Sequence, residues 1–336
     1  MPNSLTHKYT SDIIFDALDE DLKRKILPYK DMYNFGSMGP DVLMGLMFSK
    51  DQTKKDQGDI LHEDHIFSSF YRIAEYLRKN HQKDPSTFAY FMGFLTHYAT
   101  DTVVHPYVYD YIDNRMRQKF DPTLNGCLHL IIETEMDTYV GHYCLHGKHA
   151  NSYWSFKWGK KQRRQIKRYF VDILGGINGM RWSNADIWKS LFCIRLLLFL
   201  CQRHKNGRMR YMILELIDRK LKADHLLLSA LRPRGLDTRY DYLNLKKQPY
   251  GAIYKDVEQC ELEYKSFPEM LDRAKERGVQ LIELAYEHIM GGEKLDISEF
   301  KLSYNGSYNK EYRKAYGMAM LPNVDEQEES TYDTIY

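Results

Sequence analysis

Residues 88–109 read FAYFMGFLTHYATDTVVHPYVY. Apolar and aromatic side chains fill the stretch, and His97, Asp101 and His105 stand inside it. His97 and Asp101 are four residues apart, so on a helix they share one face about one turn apart. His105 is four further on and stays within roughly 80° of His97 around an axis with 3.6 residues per turn. Pro106 disfavours helical geometry in the residue before it, so the reading ends the helix at His105 and sets that imidazole at its mouth. An uncompensated Asp101 carboxylate among such neighbours is costly to bury, and a bound metal ion removes the cost.

A second segment repeats the device. In CLHLIIETEMD, residues 127–137, His129 and Glu133 are again four apart. Two helices that each present a His and a carboxylate can converge on one polar site, an economical way to build a metal centre inside a helical bundle. Imidazole and carboxylate without cysteine suit zinc, with manganese or iron as alternatives. Working outward, YNFGSMGPD at 33–41 carries Gly36, Gly39 and Pro40, which predict an irregular turn that delivers Asp41. LHEDHIFSSF at 61–70 offers His62 and His65, and LTHKY at 5–9 offers His7. Each piece has a plainer reading: a surface ion pair for a lone His–Asp spacing, a turn cap for Asp41. His65, His81, His142, His146, His149, His204, His225 and His288 read as ordinary surface or core histidines. Glu135 and Asp137 are candidates to orient ligand imidazoles, against simple solvation.

The rest of the chain reads as all-α, a multi-helix bundle with a buried metal cluster. Apolar residues recur at three- and four-residue spacing in 11–27, 66–79, 87–104, 127–144, 162–175, 184–203, 208–231 and 267–290. Segments 31–61, 105–126, 145–160, 232–266 and 291–323 hold most of the Gly, Pro, Asn and Asp and read as loops. A soft break near 145–160 separates a metal-binding helical core, 1–150, from further helices packed on it, 151–323, and the acidic tail 324–336 reads as disordered. With 43% apolar and 28% charged residues, both a sizeable core and a wet surface are expected, and 27 Tyr suit polar-tipped packing. A net charge of +2 argues against a strongly charged polymer as partner. The five Cys show no C-x-x-C pair and read as free thiols. With no apolar leader and no spanning segment apparent, the expected compartment is the cytoplasm.

GFLTHYATDTVVHPYV followed by HLIIE resembles the zinc-dependent phospholipase C family, whose fold is shared with single-strand-specific zinc nucleases. The family pattern has an Asp after a Gly-rich turn, a His, H-x-x-x-D with a later His, then H-x-x-x-E. Asp41, His62, His97 with Asp101, His105, and His129 with Glu133 follow that order. The resemblance implies a first zinc held by Asp41, His62, His97 and Asp101, and a second held by His105, His129 and Glu133. It implies a third at His7, Asp101 and the N-terminal amine, hence two or three Zn2+ ions with Asp101 as a bridge. Asp41 is the expected catalytic residue, orienting or deprotonating a metal-activated water. The implied reaction is hydrolysis of a phosphodiester, foremost a phospholipid, with peripheral membrane contact through 157–168 and 187–203 as a further expectation. A nuclease is disfavoured because no basic groove with interleaved aromatics is visible. A non-catalytic module is disfavoured because there are more ligands than one structural ion needs.

Overall fold

A computed structural model describes residues 4–49, 51, 53–54, 61–116, 125–146, 156–157, 159–176, 182–201, 207–221, 226–231, 235–255 and 261–318. The tail 324–336, the N-terminal amine, Cys260, His149, His204 and His225 lie outside the described residues. The architecture is all-α. In chain order the helices are α1 (Ser4–Ala17), α2 (Glu20–Ile26), α3 (Lys30–Gly36), α4 (Ile66–Asn80), α5 (Pro85–Tyr111) and α6 (Asn125–Tyr139). They continue with α7 (Lys160–Ile166), α8 (Asn184–Leu200), α9 (Gly207–Leu221), α10 (Leu226–Ser229), α11 (Phe267–Ile289) and α12 (Lys310–Ala315). The sheet among the described residues is one short antiparallel pair, β1 (Tyr250–Gly251) with β2 (Leu262–Glu263).

The quoted stretch forms α5, the axis of the molecule. It starts at a sequence-encoded cap: the Asp84 carboxylate accepts from Thr87 N–H, with Pro85 at the first helical position. Apolar on nearly every side, it is buried along most of its length. Helix α3 crosses it in backbone contact. A Cβ on Gly93 would lie 1.9 Å from the Tyr33 carbonyl oxygen, and one on Gly36 2.1 Å from that of Tyr90. Helix α11 begins with a Ser266/Glu269 capping box and packs on α1, α4 and α5.

Four expectations need correction. Segment 291–323 is not all loop but holds a 3-10 helix, Ile297–Phe300, and α12. Helix α5 does not stop at His105 but runs through Pro106 to Tyr111. Proline forfeits one backbone hydrogen bond there, and tertiary contacts on both sides outweigh the loss. His105 Nδ1 bonds the Tyr304 carbonyl at 2.6 Å, Tyr107 Oη donates to the Asp241 carbonyl at 2.9 Å, and the Pro106 ring packs on Gly306. Segment 31–61 is not all loop: it holds α3 and a 3-10 helix, Gly39–Phe48, because Gly36 serves the helix crossing rather than a turn. The helix expected over 11–27 is two, α1 and α2. Asp19 divides them by accepting from the backbone N–H groups of Asp21 and Leu22.

The core has two main clusters, and α5 belongs to both. Its N-terminal part, Phe88 to Ala99, packs with α3, α4 and α11, while Val104 to Tyr111 packs with α6 and the start of α11. The His97–His105 turns lie at the waist between them.

Candidate metal centre

Two imidazoles at this waist have their tautomers fixed from the main chain. His97 Nδ1 donates to the Ser37 carbonyl at 3.0 Å and His105 Nδ1 to the Tyr304 carbonyl at 2.6 Å. A carbonyl can only accept, so the proton sits on Nδ1 and, in the neutral ring, Nε2 presents a lone pair. His97 Nε2 lies 3.0 Å from Asp101 Oδ2 and 3.9 Å from Asp41 Oδ1, yet neither contact has hydrogen-bond geometry. His105 Nε2 lies 3.3 Å from Glu133 Oε1 and 3.9 Å from Asp101 Oδ1.

His7 completes the group from α1. Its ring stacks on that of His97, centroids 3.8 Å apart, and its Nε2 lies 3.2 Å from Asp101 Oδ1. The 3-10 helix that Gly39 opens carries Asp41, whose Oδ1 is 3.2 Å from His62 Nε2. Gly39 has φ +52°, and a Cβ there would strike the His97 ring at 2.3 Å, so glycine satisfies both the backbone and the close approach. His129 Nε2 sits 3.0 Å from Glu133 Oε1.

The eight sequence candidates thus fall into three groups whose donor atoms lie within 4.8 Å of one another: His7, His97 and Asp101; Asp41, His62 and His97; His105, His129 and Glu133. His97 belongs to two groups, and Asp101 faces His7, His97 and His105. His65 joins none of them; it takes a left-handed conformation, φ 56°, at the start of α4.

Burial alone would push the three carboxylates up; at Asp101 the imidazoles of His97, His105 and His7 prevail over it. Asp41, Asp101 and Glu133 are all held below the usual carboxylate range, the last two well below it. Burial likewise works to lower His105, while Asp101 and Glu133 lift it to about 9. His7 is lowered by burial and by the neighbouring His97.

These residues fit a divalent metal cluster. The buried Nε2 of His97, Nδ1 of His7 and Oδ1 of Asp101 have no hydrogen-bond partner among the described residues. A lone-pair nitrogen aimed at a carboxylate oxygen is repulsive unless a proton or a cation lies between them. The nitrogen and oxygen donors, with no sulfur, suit zinc.

Sequence reasoning missed the supports. Tyr304 N–H donates to the His62 carbonyl at 2.9 Å while its own carbonyl holds His105. Its ring lies edge-on to His62. The only sequence signal for it is the Asn305–Gly306 pair, whose turn, with Gly306 at φ +79°, is closed by the bridge between Leu302 and Tyr308. Asp137 is buried rather than solvated. It accepts from Leu5 N–H, Thr6 N–H and Thr6 Oγ1 at 3.2, 2.8 and 2.8 Å, anchoring the start of α1 one residue before His7. Glu135 accepts from Asp237 N–H instead.

No curated protein and no solved structure matches the chain significantly. The profile described as zinc dependent phospholipase C matches residues 6–184, more than half of the chain and a span containing all eight candidates. With that match over the buried His, Asp and Glu groups, the chain belongs to the zinc-dependent phospholipase C family.

Proposed function

We propose that the chain is a zinc-dependent phosphodiester hydrolase of the phospholipase C type, acting on the head group of a phospholipid. The observation that carries this reading is the sharing of His97 and Asp101 between neighbouring donor groups. A single structural ion needs one closed set of four ligands, whereas shared ligands gather two or three ions in one cleft. His7, Asp41, His62, His97, Asp101, His105, His129 and Glu133 would hold them. Bound zinc supplies acidification of a water and neutralisation of charge on the phosphoryl oxygens.

The protein's own groups do the rest. Asp41, His62 and His129 form the open edge of the cluster, with side chains 15–18% exposed against 0–4% for His97 and Asp101. Water and a head group reach the site at that edge. Asp41 stays ionised against the effect of burial, with His97 and His62 among the groups that favour its charge. It accepts a hydrogen bond from the attacking water and orients it toward phosphorus. The Ser37 and Tyr304 carbonyls keep the imidazoles in one tautomer. The products are an alcohol and a phosphomonoester. Among the described residues no helix is long and apolar enough to cross a membrane.

The test pairs zinc analysis of the purified protein with assays on phosphatidylcholine, bis-p-nitrophenyl phosphate and single-stranded DNA. Expected are two or three zinc ions per chain and hydrolysis of the first two substrates. Cleavage of DNA alone would make it a nuclease, and bound zinc without hydrolysis would make the metal structural.

A further inference from the structure

Helix α8 takes no part in the metal centre, and its two faces do not match. Ile187, Leu191, Ile194 and Leu198 are buried. On the other side Trp188, Phe192, Leu196 and Phe199 follow one another at helical spacing and are all exposed, Phe192 at 68% and Trp188 at 50%. A helix apolar all round is normally covered all round. The charged residues on the exposed face are Lys189 and Arg195, both cations. The one acid of α8, Asp186, is buried and engaged with Ser183 and Lys54.

Beside this stripe lies a cleft of about 290 Å³ between α7 with its continuation and α8. Lys160, Arg163, Arg164 and Lys167 line one wall, at the spacing of a single helix face, and no acidic residue lines the cleft. The Arg163 guanidinium lies 3.8 Å over the Trp188 ring, and its buried Nε has no hydrogen-bond partner among the described residues. Like charges gathered on one face repel, and an anion in the cleft relieves them.

We propose that this face docks on the surface of an anionic phospholipid bilayer. Trp188, Phe192, Leu196 and Phe199 enter the interface, while the cleft takes a lipid phosphate against Arg163 and its cationic neighbours. The occupant follows from charge complementarity: an apolar stripe beside a cleft lined by cations and no acid fits a negatively charged lipid surface, with Lys167 alone of the four cleft cations also pairing with an exposed acid, Asp172, at 3.3 Å. The proposal rests on the hydrolase reading only for the choice of lipid over other anionic surfaces. Its geometry also links the two sites. On the buried side of α8, Ser190 Oγ donates to the Val42 carbonyl at 2.6 Å, one residue beyond Asp41.

Flotation of the full chain with vesicles tests this, using phosphatidylcholine with and without phosphatidylglycerol. Binding is expected only with phosphatidylglycerol and is expected to weaken as salt rises. Phe192→Asp, the milder Leu196→Ser paired with Phe192→Ser, and the Lys160→Glu/Arg164→Glu pair should each weaken it by about tenfold or more. Thermal midpoint and zinc content should stay at wild-type values in all three. Inorganic phosphate at the same phosphate concentration should not release the protein, because a free ion fills the cleft without covering the stripe. Undiminished binding by the variants, no binding by wild type, or release by free phosphate overturns the proposal. So does a wild-type dimer that Phe192→Asp makes monomeric, since the face would then join two copies of the chain. The readout is binding, so a chain without hydrolytic activity still decides it.

Discussion

Asp101 is the residue on which the centre depends most, because three imidazoles, from His7, His97 and His105, converge on its two oxygens at 3.2, 3.0 and 3.9 Å. Replacing it with Asn keeps the shape and removes the charge. Two cations would then face each other in a partly desolvated cleft without the anion between them. Asp101→Asn is expected to lose at least one zinc and all hydrolysis while its far-UV spectrum stays helical. His65→Ala, at a residue that belongs to none of the three donor groups, should keep both metal and activity. Full zinc and full rate in Asp101→Asn would end the bridging role. The donors were readable in the sequence because a ligand face repeats at four residues and leaves a mark of residue type: His97, Asp101, His105, then His129 and Glu133. Their supports were not. The Ser37 and Tyr304 groups that fix His97 and His105 are main-chain carbonyls, which any residue type supplies.

Helix α6 works at both ends of one turn: Glu133 faces His105 and His129, and Asp137, four residues on, holds the N-terminus of α1. A carboxylate there pairs with unsatisfied N–H groups and with the positive end of the helix dipole. Asp137→Ala strands two buried N–H groups, at an expected cost of roughly 3 kcal/mol in denaturant unfolding. Zinc content should fall as His7 loses its anchor, while Asp137→Asn, which keeps an acceptor, should recover part of both. Helix α11 offers a pH test away from the metal. Its capping residue Glu269 is lowered from 4.5 to about 2 by hydrogen bonds from Lys247 and from Ser266. The folded-state value is depressed, so its stabilisation is present above pH 4.5 and lost as pH falls toward 2. Glu269→Gln should therefore melt slightly below wild type at pH 7, and the gap should close across that window; the Glu269 side chain is about half exposed, so salt should narrow the gap too. The existence of both helices was legible from the periodicity of their apolar residues. The run of α5 through Pro106 was not, because local backbone preference argues for a stop and only contacts from Tyr304, Asp241 and Gly306 argue against it.

At the scale of the molecule, two hydrophobic clusters are joined along α5, and the polar groups of the metal centre occupy the joint. Segments remote in sequence close over it. Tyr304 ties His62 to His105, and α11 lies across α1 and α5, so residues beyond the 6–184 family match complete the surroundings of the site. The helical class was readable from composition and periodicity, whereas this closure was not, since 291–323 reads as a loop and gives no sign of where it lands. The arrangement sets what chelation should do. Each cluster has its own buried aromatics, among them Phe70, Phe91 and Phe170 in one and Tyr107 and Phe267 in the other, so neither needs zinc to stay packed. The joint, on the proposed reading, is where zinc matters. Without zinc, Asp41, Asp101 and Glu133 face the histidines with only protons to balance their charge. A ligand present at a thousand times its Kd adds about 4 kcal/mol to the folded state, roughly 6 °C in melting temperature for a chain of this size. Removing zinc with a chelator should therefore lower the melting temperature by that order and leave the far-UV spectrum at 25 °C helical. Hydrogen exchange should quicken in residues 97–105 and 129–133 before it quickens in the N-terminal half of α5, and added zinc should reverse both changes. Complete unfolding on chelation at 25 °C would mean that the metal carries the fold. An unchanged melting temperature would mean that the eight residues hold no zinc.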